Sequence, residues 1–537
     1  MTEDHISSGV ELASEAASQA LNNQEYQRVY YKHLKEDIVS GFNGGGKLEV
    51  FLMVAYLPLS MFVHQVTIAF LRKRFSSFNK LRVSTSLLAT ILNFNLDFWL
   101  TLPPLVISVS LTLEQNLQLF FGLLLFGISQ IVLSCMIDQS PIVRPFWVAN
   151  ERKAYNVIAN KKIIHLIKGE KKGEEKEKPE NVIINIQFIT NQRALLLVAT
   201  VVSILAVDFP LIFPRRLCKT EEFGISLMDV GVGSVMFSSG LTQRKIRDLV
   251  LSKEVQSTIM KDLLALFKGS FFIFLLAFGR FILHREIDYH SHVTEWGVHW
   301  NFYATIYVVN LALVLLQNYL KWSLPIALTL MVAYEFAIVK YGLREYVFYG
   351  PRSGWVSANR EGIVSSVGYL AVCLVGIEFG RSIYRYIYEE SPNQSEEELE
   401  MTQRDREVRL FNKMIGLCMM FWGAFFLSED VFDKSSRRLC NMAYVIWMVC
   451  LNLTDLLLFY FTDRIMPRYE TNLVIEAINY NQLFYFFFSS LMTGLVNLLV
   501  WTLYEDAIPS YGYMFIYLYG VALIVVVLKA LRLRIKI

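Results

Sequence analysis

One short segment, from Asp208 to Gly224, combines residue types that could do chemistry at a membrane surface. It places an acid, two prolines and several charged residues between two apolar runs, each long enough to cross a bilayer. Charged groups so close to a bilayer core are expected to face a cavity rather than lipid. Asp208 and Lys219 are the first candidate pair: the carboxylate could act as a general base, with the lysine or a nearby arginine stabilising developing negative charge. A structural ion pair that anchors the loop is the alternative.

A second polar segment, residues 280–301, contains four of the chain's eight histidines. His290, His292 and His299 could bind a metal together with Glu295 or Asp288, but their spacing matches no established zinc pattern. Histidine and aromatic residues are also common at membrane interfaces. We favour polar contacts to a lipid headgroup or a sugar over a metal site.

A third polar segment, residues 349–362, mixes turn-forming residues with serine, asparagine and arginine. Arg352 and Arg360 suit the recognition of phosphate or carboxylate, because a guanidinium group binds such anions through two parallel hydrogen bonds. We expect Arg215 and Arg216 of the first segment to contact phosphate in the same way.

The composition of the whole chain indicates a membrane protein. Of its 537 residues, 54% are hydrophobic and 18% are charged, and the mean hydropathy is +0.39. The apolar residues lie in runs of about 20, the length that crosses a bilayer as a helix. The predicted fold class is therefore all-α, a polytopic helical membrane protein with about thirteen transmembrane helices. The predicted spans are 48–71, 86–112, 115–137, 192–213, 223–241, 262–283, 301–320, 323–343, 364–384, 410–428, 440–462, 480–504 and 511–531.

The distribution of lysine and arginine orients these spans. The two residue types are more frequent on the side that holds the C-terminus, which predicts a lumenal N-terminus and a cytosolic C-terminus. Residues 1–47 then form a polar lumenal segment and residues 48–537 one multi-span domain, with cytosolic linkers near 138–192 and 385–409. All three polar segments lie on the lumenal side, where an anionic ligand would explain their cations. A net charge of +3 gives no support for a nucleic-acid partner.

Four elements of the sequence occur together in one order, and their combination is specific although no single element is. In chain order they are Lys35-Glu-Asp with Gly41 and Gly44-Gly45; Asp208-Phe-Pro, Phe213-Pro-Arg-Arg, Lys219-Thr-Glu, Gly224 and Ser226-Leu-Met-Asp229; His292-Val-Thr-Glu-Trp-Gly-Val-His-Trp-Asn301; and Ser357-Ala-Asn-Arg-Glu-Gly362.

This combination resembles the glycosylphosphatidylinositol (GPI) inositol-acyltransferase family, called the PIG-W family in animals. The resemblance covers the chain from about residue 30 to the C-terminus. It implies a thirteen-span enzyme of the endoplasmic reticulum membrane that transfers a fatty acyl group, typically palmitoyl, from acyl-CoA to the 2-hydroxyl of inositol in glucosaminyl-phosphatidylinositol.

The resemblance also implies the residues and partners of the reaction. It places the catalytic acid and lysine at Asp208 and Lys219. Acyl-CoA is a co-substrate, the acceptor and membrane lipids are the other partners, and no metal or further cofactor is expected. The expected substrate-binding residues are Arg215, Arg216, His292, Trp296, His299, Asn301, Arg352, Asn359 and Arg360.

A polytopic transporter or flippase for an anionic lipid is the alternative function, since buried charges could line a pathway. Broken helices in two matching halves would favour a transporter, and the sequence has no clear internal repeat. Release of free thiol from palmitoyl-CoA when a lipid acceptor is added would distinguish an acyltransferase from a transporter.

The predicted orientation can be tested at Asn393, because Asn393-Gln-Ser395 is a glycosylation sequon. The sequon lies in the cytosol in our topology, so Asn393 should remain unmodified in native membranes when it is examined by mass spectrometry. A glycan on Asn393 would reverse the orientation and move Asp208 to the cytosolic face.

Overall fold

The structure, a computed structural model, describes residues 30–31, 34–35, 41–84, 86–138, 142–143, 186–243, 258–283, 293–388, 396–466 and 470–535. His292 and Asn393 lie outside these residues, as do most of the 138–192 linker and of the 1–47 segment. The described residues form helices joined by short loops, with an isolated parallel bridge between Gly44 and Ile225.

The helices follow the apolar runs of the sequence. They are α1 (Lys47–Arg74), α2 (Ser76–Val83), α3 (Leu87–Thr101), α4 (Pro103–Ser108), α5 (Leu113–Asp138), α6 (Gln187–Ala206), α7 (Leu227–Leu241), α8 (Ile259–Gly269), α9 (Phe271–Leu283), α10 (Val293–Trp296), α11 (Phe302–Leu315), α12 (Ser323–Lys340), α13 (Leu343–Tyr349), α14 (Trp355–Ala358), α15 (Arg360–Tyr388), α16 (Glu396–Val431), α17 (Met442–Ile465), α18 (Leu473–Tyr480), α19 (Gln482–Leu499) and α20 (Ala507–Ala530).

The prediction of an all-α polytopic membrane protein is confirmed. Among the described residues, ten helices are long and apolar enough to cross a membrane, and the pair α8 and α9, bent by 66° at their junction, makes an eleventh candidate. The two other predicted spans correspond to α7 and α11, which have 15 and 14 residues. The predicted number of thirteen is therefore approximate, because an apolar run can continue beyond the helix that it contains.

The long helices divide into central and peripheral ones. Most of the apolar stretch is buried inside the protein in α1, α6, α15 and α17, whereas α5, α16 and α19 leave most of theirs facing outward. A helix that is apolar all round is expected at the centre of a membrane bundle, where protein replaces lipid on every side. The helix α16 also begins at Glu396, so it occupies much of the predicted 385–409 linker.

Helices α7 and α15 touch through their backbones at three glycines. A Cβ atom on Gly240 would lie 2.1 Å from the carbonyl oxygen of Cys373, and one on Gly376 would lie 2.3 Å from that of Phe237. A Cβ on Gly380 would similarly lie 2.4 Å from the carbonyl oxygen of Leu241. Small residues allow such close helix packing inside a membrane, where van der Waals contact replaces the hydrophobic effect as the force between helices.

A buried carboxylate at the opposite end of the bundle from the three polar segments is fully used in packing. Asp97 accepts hydrogen bonds from His64 at 2.8 Å, from Arg82 at 2.9 Å and from the backbone of Leu473 at 2.8 Å. Asp97 and His64 are completely excluded from solvent. The three contacts join α1, α2 and α3 to the start of α18, which is a structural role.

The Gly376→Ala substitution should destabilise the protein, because the new Cβ would force α7 and α15 apart. Gly416→Ala in α16 is the matched control, since nothing lies within 4 Å of its Cβ position and alanine is favoured over glycine in a helix by about 1 kcal/mol. The melting temperature in detergent should fall for Gly376→Ala and be unchanged or higher for Gly416→Ala. Equal melting temperatures for the two variants would contradict the backbone contact.

Candidate functional site

The three polar segments identified in the sequence meet at one end of the bundle. Glu221 of the first segment accepts a hydrogen bond from Thr294 of the second at 3.2 Å. Glu222 accepts one from the hydroxyl of Tyr349, in the third segment, at 2.7 Å. Because the segments contact one another directly, they form one layer of loops that closes this end of the membrane domain.

Asn359 fixes the second segment onto the third. Its Oδ1 accepts hydrogen bonds from the backbone N–H groups of His299 at 2.7 Å and Trp300 at 3.0 Å, and its Nδ2 donates to the carbonyl of Trp355 at 2.8 Å. Gly297 has a φ of +104°, and a Cβ there would lie 2.5 Å from the Cα of Asn359. Asn359 is completely buried, so the structure gives it a structural contact within the loop layer.

An apolar cavity with a volume of about 160 Å³ opens beneath this layer. Its walls are aliphatic side chains of α1, α6 and α7, joined by Trp296, Phe302 and Phe486. Three charged residues also line it: Lys219, Glu295 and Arg437. The cavity therefore combines an apolar interior with one charged group of side chains, as binding sites for amphiphilic ligands do.

The three charged side chains form a chain of contacts. Lys219 Nζ donates a 2.7 Å hydrogen bond to Glu295 Oε2, and Arg437 Nη1 lies 3.8 Å from Glu295 Oε1. Lys219 is 30% exposed and Arg437 only 4%. Of these three contacting side chains, Lys219 is thus the one accessible to solvent, and Arg437 is the buried one.

Arg437 is anchored in turn by Asp229 at the start of α7. Its Nε lies 2.8 Å from Asp229 Oδ1, and Asp229 is 1% exposed. The carboxylate also accepts hydrogen bonds from the hydroxyls of Thr220 at 2.9 Å and Ser226 at 2.8 Å. Burial lowers the pKa of Arg437, but the carboxylates of Glu295 and Asp229 outweigh this effect and raise the pKa above its ordinary value.

Asp208 lies just beyond the end of α6, with partners of its own. Its Oδ2 accepts a 2.7 Å hydrogen bond from Asn497 Nδ2, and Lys35 Nζ lies 3.9 Å from its Oδ1. Lys35 also donates to Asn497 Oδ1 at 2.7 Å. Burial raises the pKa of Asp208 above its ordinary value, and both the charge of Lys35 and the hydrogen bond from Asn497 oppose this rise.

Asp208 and Lys219 do not bind each other in the structure, since each pairs with different residues. Both are nevertheless close to the cavity, because Lys219 lines it and Asp208 follows α6, which forms one of its walls. Ser203 and Ile204 line the cavity and precede Asp208 by five and four residues, so the acid lies about one helical turn along the chain from the cavity wall. The side chain of Asp208 remains 21% exposed and can exchange a proton.

Most of the predicted phosphate-binding arginines are engaged by the protein itself. Arg216 donates to both carboxylate oxygens of Glu49. Arg352 pairs with Glu361, while the buried Arg360 donates to the carbonyls of three residues: Val347, Pro351 and Ser357.

Arg215 differs from these three. It is exposed, and its side chain makes no hydrogen bond or ion pair within the part of the chain that the structure describes. Substrate contact therefore remains a prediction for all four arginines, and Arg215 is the one whose guanidinium group needs no rearrangement to make it.

The residues expected from the second segment have mixed positions. Trp296 lines the cavity. Asn301 caps α11, accepting from the backbone of Ala304 at 2.9 Å, and donates to the carbonyl of Leu276 at 3.0 Å. His299 belongs to the loop fixed by Asn359, and His292 lies outside the described residues.

No group of three or more histidine, cysteine, aspartate or glutamate side chains that could hold a metal occurs in the described ranges.

Three residues of this site were not identified from the sequence: Glu295 as the partner of Lys219, Arg437, and Asn497. The sequence did contain a signal for Arg437, because Arg437-Arg438 lies between two spans on the side that the topology prediction makes lumenal, where basic residues are disfavoured. For Asn497 the only signal was a polar residue near the end of an apolar helix, which also occurs at many structural positions.

The sequence matches the GWT1 family over residues 31–528. A Dictyostelium discoideum protein named phosphatidylinositol-glycan biosynthesis class W protein is 27% identical, with 94% of this chain and 99% of the relative covered. The proteins named GPI-anchored wall transfer protein 1 of Gibberella zeae and Saccharomyces cerevisiae are 30% and 29% identical, with the same coverage. These matches confirm the resemblance carried by the four sequence elements, and the chain belongs to the GWT1 family.

Proposed function

We propose that this protein transfers a fatty acyl group from acyl-CoA to the inositol 2-hydroxyl of glucosaminyl-phosphatidylinositol during GPI-anchor biosynthesis in the endoplasmic reticulum membrane. The names of its relatives support a role in GPI biosynthesis. The observation that carries the acyl-transfer proposal is the apolar cavity that ends at Lys219, Glu295 and Arg437.

The shape of the cavity suits an acyl chain. Along α7 its lining extends from Leu227 to Val235, which corresponds to roughly 12 Å of helix at 1.5 Å per residue. Apolar walls bind the hydrocarbon without hydrogen bonds, and they keep water from the thioester. An acyl chain in this cavity would have its thioester beside Lys219.

The reaction requires one proton acceptor and one cation. The carboxylate of Asp208 takes the proton of the inositol hydroxyl while the hydroxyl oxygen attacks the thioester carbonyl. The carbonyl oxygen becomes negative, and Lys219 stabilises it. The carbon–sulfur bond then breaks, so that the acyl group remains on inositol as an ester and CoA leaves as a thiolate that takes up the proton.

Glu295 is a positioning residue in this scheme. An ammonium group on a four-carbon side chain adopts many conformations, and the 2.7 Å bond to Glu295 restricts it to one side of the cavity. Arg437 holds Glu295 from the buried side. Lys219 is therefore oriented before the substrate binds, which favours stabilisation of the transition state.

The Asp208→Asn substitution is nearly isosteric and removes the basic oxygen, so it should lower turnover by on the order of 10²–10⁴-fold. Lys219→Ala should lower kcat as well, because its charge acts mainly in the transition state. The assay measures thiol release from palmitoyl-CoA by the purified protein, with and without glucosaminyl-phosphatidylinositol. Palmitoyl-CoA binding, measured in parallel, should be retained by Asp208→Asn.

Two results would contradict these roles. Near-normal turnover by an Asp208→Asn protein that binds palmitoyl-CoA would exclude Asp208 as the base. Thiol release by the wild type that does not depend on the acceptor would exclude acyl transfer to this lipid.

Because burial raises the pKa of Asp208, the acidic limb of the pH profile of kcat/KM should have a pKa above the ordinary aspartate value of about 3.9.

Glu295→Gln tests the positioning of Lys219, because glutamine keeps an acceptor oxygen and removes the charge. We expect kcat to fall by on the order of 10²-fold, the effect of a small displacement of a catalytic group, with the KM for palmitoyl-CoA changed less than twofold. Glu345→Gln is the control, since Glu345 is 63% exposed and its partner within the described residues is Arg344 on the surface. A changed KM with an intact kcat would instead make Glu295 a substrate-binding residue.

A further inference from the structure

A group of aromatic side chains next to Asp208 has no part in the scheme above. Tyr31 lies with its ring centroid 4.8 Å from that of Trp501 and 5.5 Å from that of Tyr504. Trp501 and Tyr504 are 46% and 62% exposed. The cluster therefore presents large aromatic surfaces outward rather than filling the core.

The cluster is fixed to the same residues that hold Asp208. The hydroxyl of Tyr31 accepts a 3.1 Å hydrogen bond from the backbone of Leu503 and lies 3.3 Å from Thr502 Oγ1. Thr502 Oγ1 in turn lies 3.4 Å from Asn497 Oδ1, the atom that also binds Lys35. The aromatic rings and the carboxylate are thus parts of one connected arrangement between the N-terminal segment and the end of α19.

This arrangement leaves one oxygen of Asp208 available. Asn497 occupies Oδ2, whereas Oδ1 accepts no hydrogen bond from the residues that the structure describes, and Lys35 Nζ stands 3.9 Å away from it. A hydroxyl placed at Oδ1 would meet the basic oxygen, with the lysine ammonium beside it. Among the residues that the structure describes, the charged and titratable groups that face this position are Lys35, Tyr31 and Tyr504, together with Asp208 itself.

We propose that Tyr31, Trp501, Tyr504 and Lys35 form the subsite that binds the cyclic polyol headgroup of the acceptor and presents one of its hydroxyls to Asp208 Oδ1. A cyclic polyol has apolar C–H faces and a rim of hydroxyls. The C–H faces suit the electron-rich faces of aromatic rings, and the hydroxyls suit the adjacent carboxylate, ammonium and amide. The subsite rests on the proposed function for the identity of its ligand.

The experiment uses the full-length protein and a water-soluble dioctanoyl glucosaminyl-phosphatidylinositol as the acceptor. Trp501→Ala and Tyr504→Ala should each raise the KM for this acceptor about tenfold, as truncation of an aromatic anchor in a binding site does. The KM for palmitoyl-CoA should be unchanged. Trp501→Phe and Tyr504→Phe keep a ring and should restore most of the affinity.

Tyr341→Ala is the matched control, because Tyr341 is also an exposed aromatic residue at the end of a membrane helix, 79% exposed and in ring contact with Phe336. It should leave both KM values unchanged. If the exposed rings served only as an interfacial belt, all three alanine variants would alter expression or melting temperature alike and none would alter the acceptor KM. That result would overturn the subsite.

Direct binding separates this inference from the proposed reaction. The Kd of the dioctanoyl acceptor is measured without acyl-CoA for the wild type, Trp501→Ala and Trp501→Phe. Weaker binding by Trp501→Ala, with binding by Trp501→Phe close to that of the wild type, supports the subsite. This holds even if the wild type transfers no acyl group and the proposed reaction fails. Equal Kd values for the three proteins, together with normal acyl transfer, would refute the subsite and leave the reaction intact.

Discussion

The buried ion pair between Arg437 and Asp229 is the interaction on which the site depends. Both side chains are almost completely excluded from solvent, where removal of one partner would leave a charge uncompensated at a cost of about 3–5 kcal/mol. The loop before α17 must therefore stay against the start of α7. Because Arg437 also approaches Glu295, which binds Lys219, this pair determines where the proposed catalytic lysine lies above the cavity.

In the loop layer, most of the arginines considered for ligand binding instead stabilise the protein itself. The sequence suggested that arginines on the disfavoured side bind an anionic ligand. In the structure, Arg216 and Arg352 are balanced by Glu49 and Glu361, and Arg360 donates to the backbone carbonyls of Val347, Pro351 and Ser357. A layer of loops between two apolar environments contains many backbone carbonyls that no helix satisfies, and guanidinium groups with five donors can bind several of them at once.

The sequence was sufficient for what depends on local composition and insufficient for what depends on pairing. Apolar runs predicted the helical membrane fold, although α7 and α11 are shorter than the runs that contain them. The candidates Asp208 and Lys219 stood out by their position at the end of a span. Their partners did not, because Glu295 is 76 residues from Lys219 and Asn497 is 289 residues from Asp208. Tertiary packing brings such distant residues together, and a single sequence does not show which residues will be in contact.

We expect the cavity between α6 and α7 to hold the acyl chain with its thioester at Lys219. Photolabelling with a palmitoyl-CoA analogue that carries a diazirine near the end of its chain, followed by peptide mapping, would identify the residues around that chain. Labels are expected on Leu196, Thr200 and Val235, which line the cavity, and these labels should be lost when unlabelled palmitoyl-CoA is in excess. Labels confined to outward-facing residues of α5 and α16, unchanged by that competitor, would contradict it.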